Sequence, residues 1–201
     1  MEKRKNSFLS EISAVIRQRY GEKHEEILSA AWKRYDMLCA ENADEPKAVQ
    51  AHTRNRIYPA IAVFESAVAF GVSREDAAQL ILDFYMTRAK KPAKIIQNLL
   101  KIPGLYKAVP KLFLVGVEKM FGPDAGFRAK HYETKKGCFQ MDMLECPYMN
   151  ICRKYDCPEI VPAFCASDDV AYGNMHPKLI WGRTKTLGRG DEYCDFKLTV
   201  K

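Results

Sequence analysis

Thr186-Leu187-Gly188-Arg189-Gly190-Asp191-Glu192-Tyr193-Cys194-Asp195-Phe196-Lys197-Leu198 lies at the end of the chain. Gly188 and Gly190 with Asp191 supply turn chemistry between two stretches of alternating pattern, which reads as a β-hairpin. Its strands cover 178–187 and 192–200. On the second, Cys194, Phe196, Leu198 and Val200 share one face, and Asp195, Lys197 and Thr199 the other. Working back, 127–134 and 137–145 fit two more strands. In the later one Phe139, Met141 and Met143 alternate with Cys138, Gln140 and Asp142, and Cys146-Pro147 ends it. The segments 148–155 and 158–172 read as two short helices separated at Asp156-Cys157-Pro158. The C-terminal third is therefore a four-stranded antiparallel sheet with two short helices inserted between strands two and three.

Upstream the apolar period changes from two to that of a helix. Phe8, Ile12, Val15 and Ile16 mark one helix, ended at Gly21, and Ile27, Ala31, Tyr35 and Leu38 mark a second. A third runs over 48–70, and Pro59 kinks or splits it. Gly71 closes that helix, and Ser73 caps the next, with Asp76 as its acidic partner three residues on. Helical spacing continues to Phe121, broken near Pro103-Gly104. Core packing explains these stripes. For Leu112, Phe113, Val115 and Met120 the other reading is the wall of a ligand cavity. The fold class is α+β: N-terminal helices packed on a small antiparallel sheet. A single domain over 1–201 is expected, with a mainly helical part at 1–121 and a cysteine-rich sheet part at 122–201.

A chain of 201 residues with 47% apolar side chains can bury a core. It has no apolar window long enough for a transmembrane helix and no signal core behind its charged start, so a cytoplasmic protein without a membrane partner is expected. The net charge of +7 invites nucleic acid. However, cations are scattered among acidic residues, and the densest stretch, Arg88 to Lys101, holds no groove-reading motif, so no nucleic-acid partner is expected. The seven cysteines are an odd number, and a reducing compartment favours metal, catalytic or buried thiols over disulfides. No C-x-x-C pair is present. Cys138, Cys146, Cys152 and Cys157 read as buried structural thiols, with zinc or an iron–sulfur cluster as the metal alternative.

Two constellations bear chemistry. On a helix, Cys165 shares a face with Asp168 and Asp169, three and four residues on. A thiol becomes a nucleophile when a base or cation favours the thiolate, a part open to His176 in the following loop or to Arg183. The bland reading makes the two aspartates solvated or capping and His176 a loop residue. The second constellation is the hairpin, where Arg183 follows Leu179 and Trp181 and can grip a small carboxylate with two parallel hydrogen bonds. The bland reading is an exposed arginine.

Cys146-Pro147, Phe164-Cys165-Ala166-Ser167-Asp168, Thr184-Lys185-Thr186-Leu187 and Gly190-Asp191-Glu192-Tyr193-Cys194-Asp195-Phe196 together resemble the L-2-amino-thiazoline-4-carboxylic acid hydrolase family, over about 50–200. The ending also looks like vinyl-reductase-type small-molecule-binding domains, related in fold to TRAPP subunits, in which helices wrap an antiparallel sheet around a small ligand. Some of those sensors hold zinc through cysteines near this hairpin. Cys165 and Cys194 match two such ligands, but Arg183 and Thr186 stand where a carboxylate and a thiol are expected, which speaks against the site. No cofactor is expected, and zinc is the exception held open.

The resemblance implies hydrolytic opening of a cyclic amidine to a carbamoyl-cysteine. Cys165, Asp168, Asp169 and His176 are then the catalytic candidates, and Arg183, Cys194 and Asn174 the substrate-binding ones. The partner is a small-molecule substrate, with a homodimer left open. A non-catalytic small-molecule sensor and a metal-binding protein are the rival readings.

Overall fold

The computed structural model describes residues 6–201. Six helices come first: α1 (Ser7–Tyr20), α2 (His24–Glu41), α3 (Lys47–His52), α4 (Tyr58–Ala69), α5 (Arg74–Leu99) and α6 (Val109–Met120). Then follow β1 (Arg128–His131), β2 (Cys138–Glu145), α7 (Pro147–Lys154), α8 (Val161–Tyr172), β3 (Leu179–Trp181) and β4 (Cys194–Val200). The four strands form one antiparallel sheet in the order β1-β2-β4-β3, and the fold is α+β. No helix among the described residues is long and apolar enough to cross a membrane.

Local chemistry sets the helix boundaries. Asn6 caps α1 by accepting from the Leu9 N–H, and Ser73 caps α5 by accepting from Asp76 N–H. Gly21 and Gly71 follow α1 and α4 with φ of 53° and 84°, a backbone region that side chains disfavour. The predicted helix over 48–70 is divided into α3 and α4 just before Pro59. The division is one π turn, Thr53–Ile57, and Pro59 sits in the first turn of α4, where its missing N–H is not needed.

The helical core joins α1, α2, α4 and the first half of α5. Phe8, Ile12, Ile27, Leu38, Ile61 and Leu80 are completely buried there. Further on, α5 lies along α8 and so ties the helical part to the helices inserted in the sheet. The inner sheet face alternates as its pattern predicts: Phe139, Met141 and Met143 of β2 are buried, and they pair with Leu198, Phe196 and Cys194 of β4.

The third strand is shorter than its pattern suggests. It covers Leu179–Trp181 rather than 178–187, and the last bond toward β4 runs from Gly182 N–H to the Lys197 carbonyl. Beyond it, acidic side chains replace the ladder. Asp195 accepts from the Thr184 and Lys185 backbone N–H groups and the Thr184 hydroxyl, and Asp191 accepts from Thr186 N–H. The chain thereby leaves the sheet and crosses α8 as a short 3₁₀ turn, Leu187–Arg189.

Candidate functional site

That departure builds the site. It lays Gly188 so close to α8 that a Cβ there would come within 2.8 Å of Cys165 Sγ and 3.1 Å of Val161 Cγ1, so a glycine is required. Between the inner sheet face and helices α5, α6 and α8 lies a cavity of about 440 Å³. Phe139, Met141, Met143 and Phe196 form its sheet wall, and Phe113 and Val117 of α6 stand opposite. Polar groups reach it from several places: Arg56 from the π turn, Tyr85 from α5, Cys146 and Tyr148 at the start of α7, Cys165, Ser167, Asp168 and Tyr172 from α8, and Arg183 and Cys194 from the last hairpin.

Arg183 is fixed rather than free. Its side chain is 1% exposed. One guanidinium nitrogen donates to Asp168 at 3.2 Å, and the other donates to the Cys165 carbonyl at 2.6 Å and meets Asp169 at 2.7 Å. The Phe196 and Trp181 rings lie 5.2 and 5.9 Å from its centre. Two carboxylates and two aromatic faces thus offset the burial of one cation. Its Nε has no partner among the described residues.

Asp169 braces this arrangement from behind. It accepts from Trp181 Nε1 at 2.9 Å, meets Arg183, and is not among the cavity-lining residues. Asp168 differs from its neighbour. It lies deep in the molecule, yet 38% of its side chain can be reached by water, because it faces the void. Burial pushes its carboxyl up to about 6, against the pull of Arg183 and Arg56.

Three thiols meet the same cavity. Burial raises Cys165, while Arg183, the Gly188 N–H and the Thr186 hydroxyl act to lower it. Thr186 Oγ1 is fully buried and makes no hydrogen bond of ordinary geometry, so its pull on the Cys165 sulfur is weak. Burial pushes Cys146 up to about 12 and Cys194 up to about 11, and Cys194 Sγ accepts from Leu187 N–H at 3.3 Å. All three are thiols at neutral pH. Among the described residues, no three His, Cys, Asp or Glu side chains are grouped to hold a metal ion.

Of the residues singled out from the sequence, the structure brings Cys165, Asp168, Arg183 and Cys194 to one cavity. Asp169 stands behind it. His176 and Asn174 are not among its lining residues. The His176 ring stacks on Tyr106 at 4.5 Å and takes the Lys178 N–H on Nδ1, while the Asn174 carbonyl accepts from Gln97. Sequence reasoning missed Arg56, Tyr148 and Gly188. Arg56 lies against Tyr148 and within electrostatic reach of Asp168. The available signal for it was Pro59, which makes a regular helix through this segment costly and so hints at an irregular turn nearby.

His52 pins this end of the cavity. Its Nδ1 pairs with the Tyr148 hydroxyl at 3.1 Å and its Nε2 with the Met120 carbonyl at 2.8 Å. Burial lowers its pKa, so the ring is neutral and one nitrogen donates, to the carbonyl at α6's end.

Comparison with known proteins agrees with this geometry in one respect and is silent in another. No curated protein matches the chain. A family model does, over residues 50–198, which span the π turn that carries Arg56, the cavity and the closing hairpin, and so most of the chain. The protein belongs to the L-2-amino-thiazoline-4-carboxylic acid hydrolase family.

Proposed function

We propose that the protein hydrolyses a small cyclic amidine, L-2-amino-thiazoline-4-carboxylate or an analogue. The observation that carries this is the convergence of the Cys165 thiol, the Asp168 carboxyl and the Arg56 guanidinium on one cavity. Arg56 offers a cation for the substrate carboxylate.

A buried thiol beside a neutral amidine can pass its proton to the ring nitrogen. This transfer makes the thiolate nucleophile and the electrophilic amidinium together. Cys165 Sγ then bonds to the ring carbon between sulfur and nitrogen, and the ring carbon–sulfur bond breaks. The ring sulfur leaves as a thiol by taking a proton from neutral Asp168. The enzyme now holds an S-linked isothiourea. Asp168, as carboxylate, next takes a proton from water. The hydroxide adds to the same carbon, and Cys165 departs with the proton returned. The product is the carbamoyl-cysteine, and one water has been consumed. In this reading Asp169 and Arg183 are positioning residues, since they hold Asp168 and the backbone of Cys165.

A binder without turnover is the second reading, favoured by the raised pKa of Cys165 and by the apolar character of most of the lining. Cys165→Ser distinguishes the two. The hydrolase reading expects turnover to fall by at least about 10³-fold with the fold unchanged, as nucleophile removal does elsewhere. Wild-type protein that binds the thiazoline carboxylate but releases no carbamoyl product leaves only the binder.

A further inference from the structure

A thiazoline carboxylate is one five-membered ring with two small substituents, and the cavity is much larger than that. Its volume is about 440 Å³. It falls in the range of roughly 300–1,000 Å³ that accommodates drug-sized ligands. Apart from the Tyr85 hydroxyl, which donates to the Arg56 carbonyl, the polar groups come from the π turn, the start of α7, α8 and the closing hairpin. The rest of the lining, from the end of α5, α6 and the sheet, is aliphatic and aromatic. Leu99, Leu112 and Met120 line the void and are also more than half exposed, so they mark its mouth. Gly116 points the same way. A glycine within a helix costs roughly 1 kcal/mol against alanine; this one sits inside α6, lines the cavity, and has nothing within 4 Å of where a Cβ would be. It keeps space open at a cost to its helix.

We propose that the site takes an amphipathic substrate, a polar amidine head with an apolar tail that lies beneath α6 and leaves past Leu112. The head-group chemistry rests on the hydrolase reading; the tail does not. The test is a series of thiazoline-4-carboxylates bearing N-alkyl chains of increasing length on the exocyclic nitrogen. Affinity is read from Trp181 fluorescence and ring opening by mass spectrometry. Affinity should rise roughly three- to fourfold per methylene until the void is full. Gly116→Leu, a better helix former, should fold at least as well and shift the optimum to a shorter tail. Affinity that is flat or falls with chain length, or an optimum unmoved in Gly116→Leu, overturns the proposal. Length-dependent binding without ring opening in any compound upholds the tail and ends the hydrolase reading. Ring opening of the bare heterocycle with no gain from tails does the reverse.

A different observation concerns the outside of the same helices. Between Arg88 and Phe121 the chain carries eight cations against one anion, Glu118, a surplus equal to that of the whole molecule. Seven of the cations are exposed lysines, from Lys90 to Lys119. Interleaved with them, Ile95, Leu99, Ile102, Leu112, Val115 and Met120 are each more than half exposed. Nucleic-acid surfaces present aromatic rings and arginines. Here the exposed apolar side chains are aliphatic, the aromatic ones are half-buried, and the one arginine, Arg88, is paired with Glu11.

We infer that this face docks peripherally on an anionic phospholipid surface, with the aliphatic side chains in the headgroup boundary and the lysines beside lipid phosphates. The test is sedimentation with phosphatidylcholine vesicles, with and without phosphatidylglycerol. Binding should need the anionic lipid and weaken with salt. It should drop at least tenfold both in Lys107→Glu/Lys111→Glu and in Leu114→Ser/Val115→Ser, none of which is itself a cavity-lining residue. Equal sedimentation with both vesicle types, none with either, or no response to the serine pair overturns the inference; so does tighter binding to duplex DNA than to anionic vesicles.

Discussion

Two parts of the interior follow opposite rules. Where α1, α2, α4 and the start of α5 meet, fully buried aliphatic and aromatic side chains pack on each other. Between the sheet and α5, α6 and α8, side chains of the same kinds surround a void, and two arginines, a carboxyl and three thiols share its wall. A void forfeits dispersion contacts, and a buried carboxylate loses hydration. The second region gives up stability that the first supplies, and what it gains is a shaped, chemically equipped space. The helical core is a scaffold; the cavity half is where function is to be sought.

The sharpest way to break this contrast is through Arg183. Arg183→Met leaves Asp168 and Asp169 adjacent without their shared cation. It should cost about 3–5 kcal/mol in urea unfolding, and adding Asp168→Asn should restore part of that. Next comes a matched pair of truncations. Leu80→Ala in the packed core should cost about 2–5 kcal/mol. Phe113→Ala on the cavity wall should cost less than the roughly 3–5 kcal/mol of a fully packed phenylalanine, since the ring is only half-buried and one side of it already faces the void. Equal losses would mean that the two regions are packed alike.

A third prediction concerns pH. With Asp168 pushed up to about 6 and acting as proton donor, turnover should be level below that pH and fall tenfold per unit above it. Asp168→Asn should remove the break along with most of the activity. The same shift bears on stability. The folded chain holds this proton more tightly than the unfolded one, so its stabilising share is complete below about pH 4 and lost as pH rises through about 6. The smallest effect lies in the scaffold. Ser73→Ala removes the cap of α5 and should cost about 1 kcal/mol, with ligand affinity unchanged.

Much of the scaffold was legible because its signals are local. The Ser73 cap with Asp76 three residues on, the glycine stops at Gly21 and Gly71, and the alternation of Phe139, Met141 and Met143 each depend on neighbours a few residues away. The Cys165–Asp168 pairing on one helical face was legible for the same reason. Other features were hidden. The alternation from Leu179 to Leu187 looked like one long strand, but whether a strand stays paired depends on its partner, and Asp195 and Asp191 drew the backbone away. His176 is near Cys165 in sequence order, yet its stacking on Tyr106 takes it elsewhere. The expectation that no membrane is involved was argued from the absence of a spanning segment, a criterion that does not address a peripheral face.

By itself, the sequence determined the α+β class, the order of helices and strands, the thiol with a carboxylate one turn away, and the family. Each of these is written in period, spacing or short motif. Only the tertiary structure decided that Arg56, more than a hundred residues from Cys165, shares its cavity, that Arg183 is a locked brace, and that a void exists at all. The reason is physical: a cavity is made by what fails to meet across distant elements, and no local pattern encodes the space left between them.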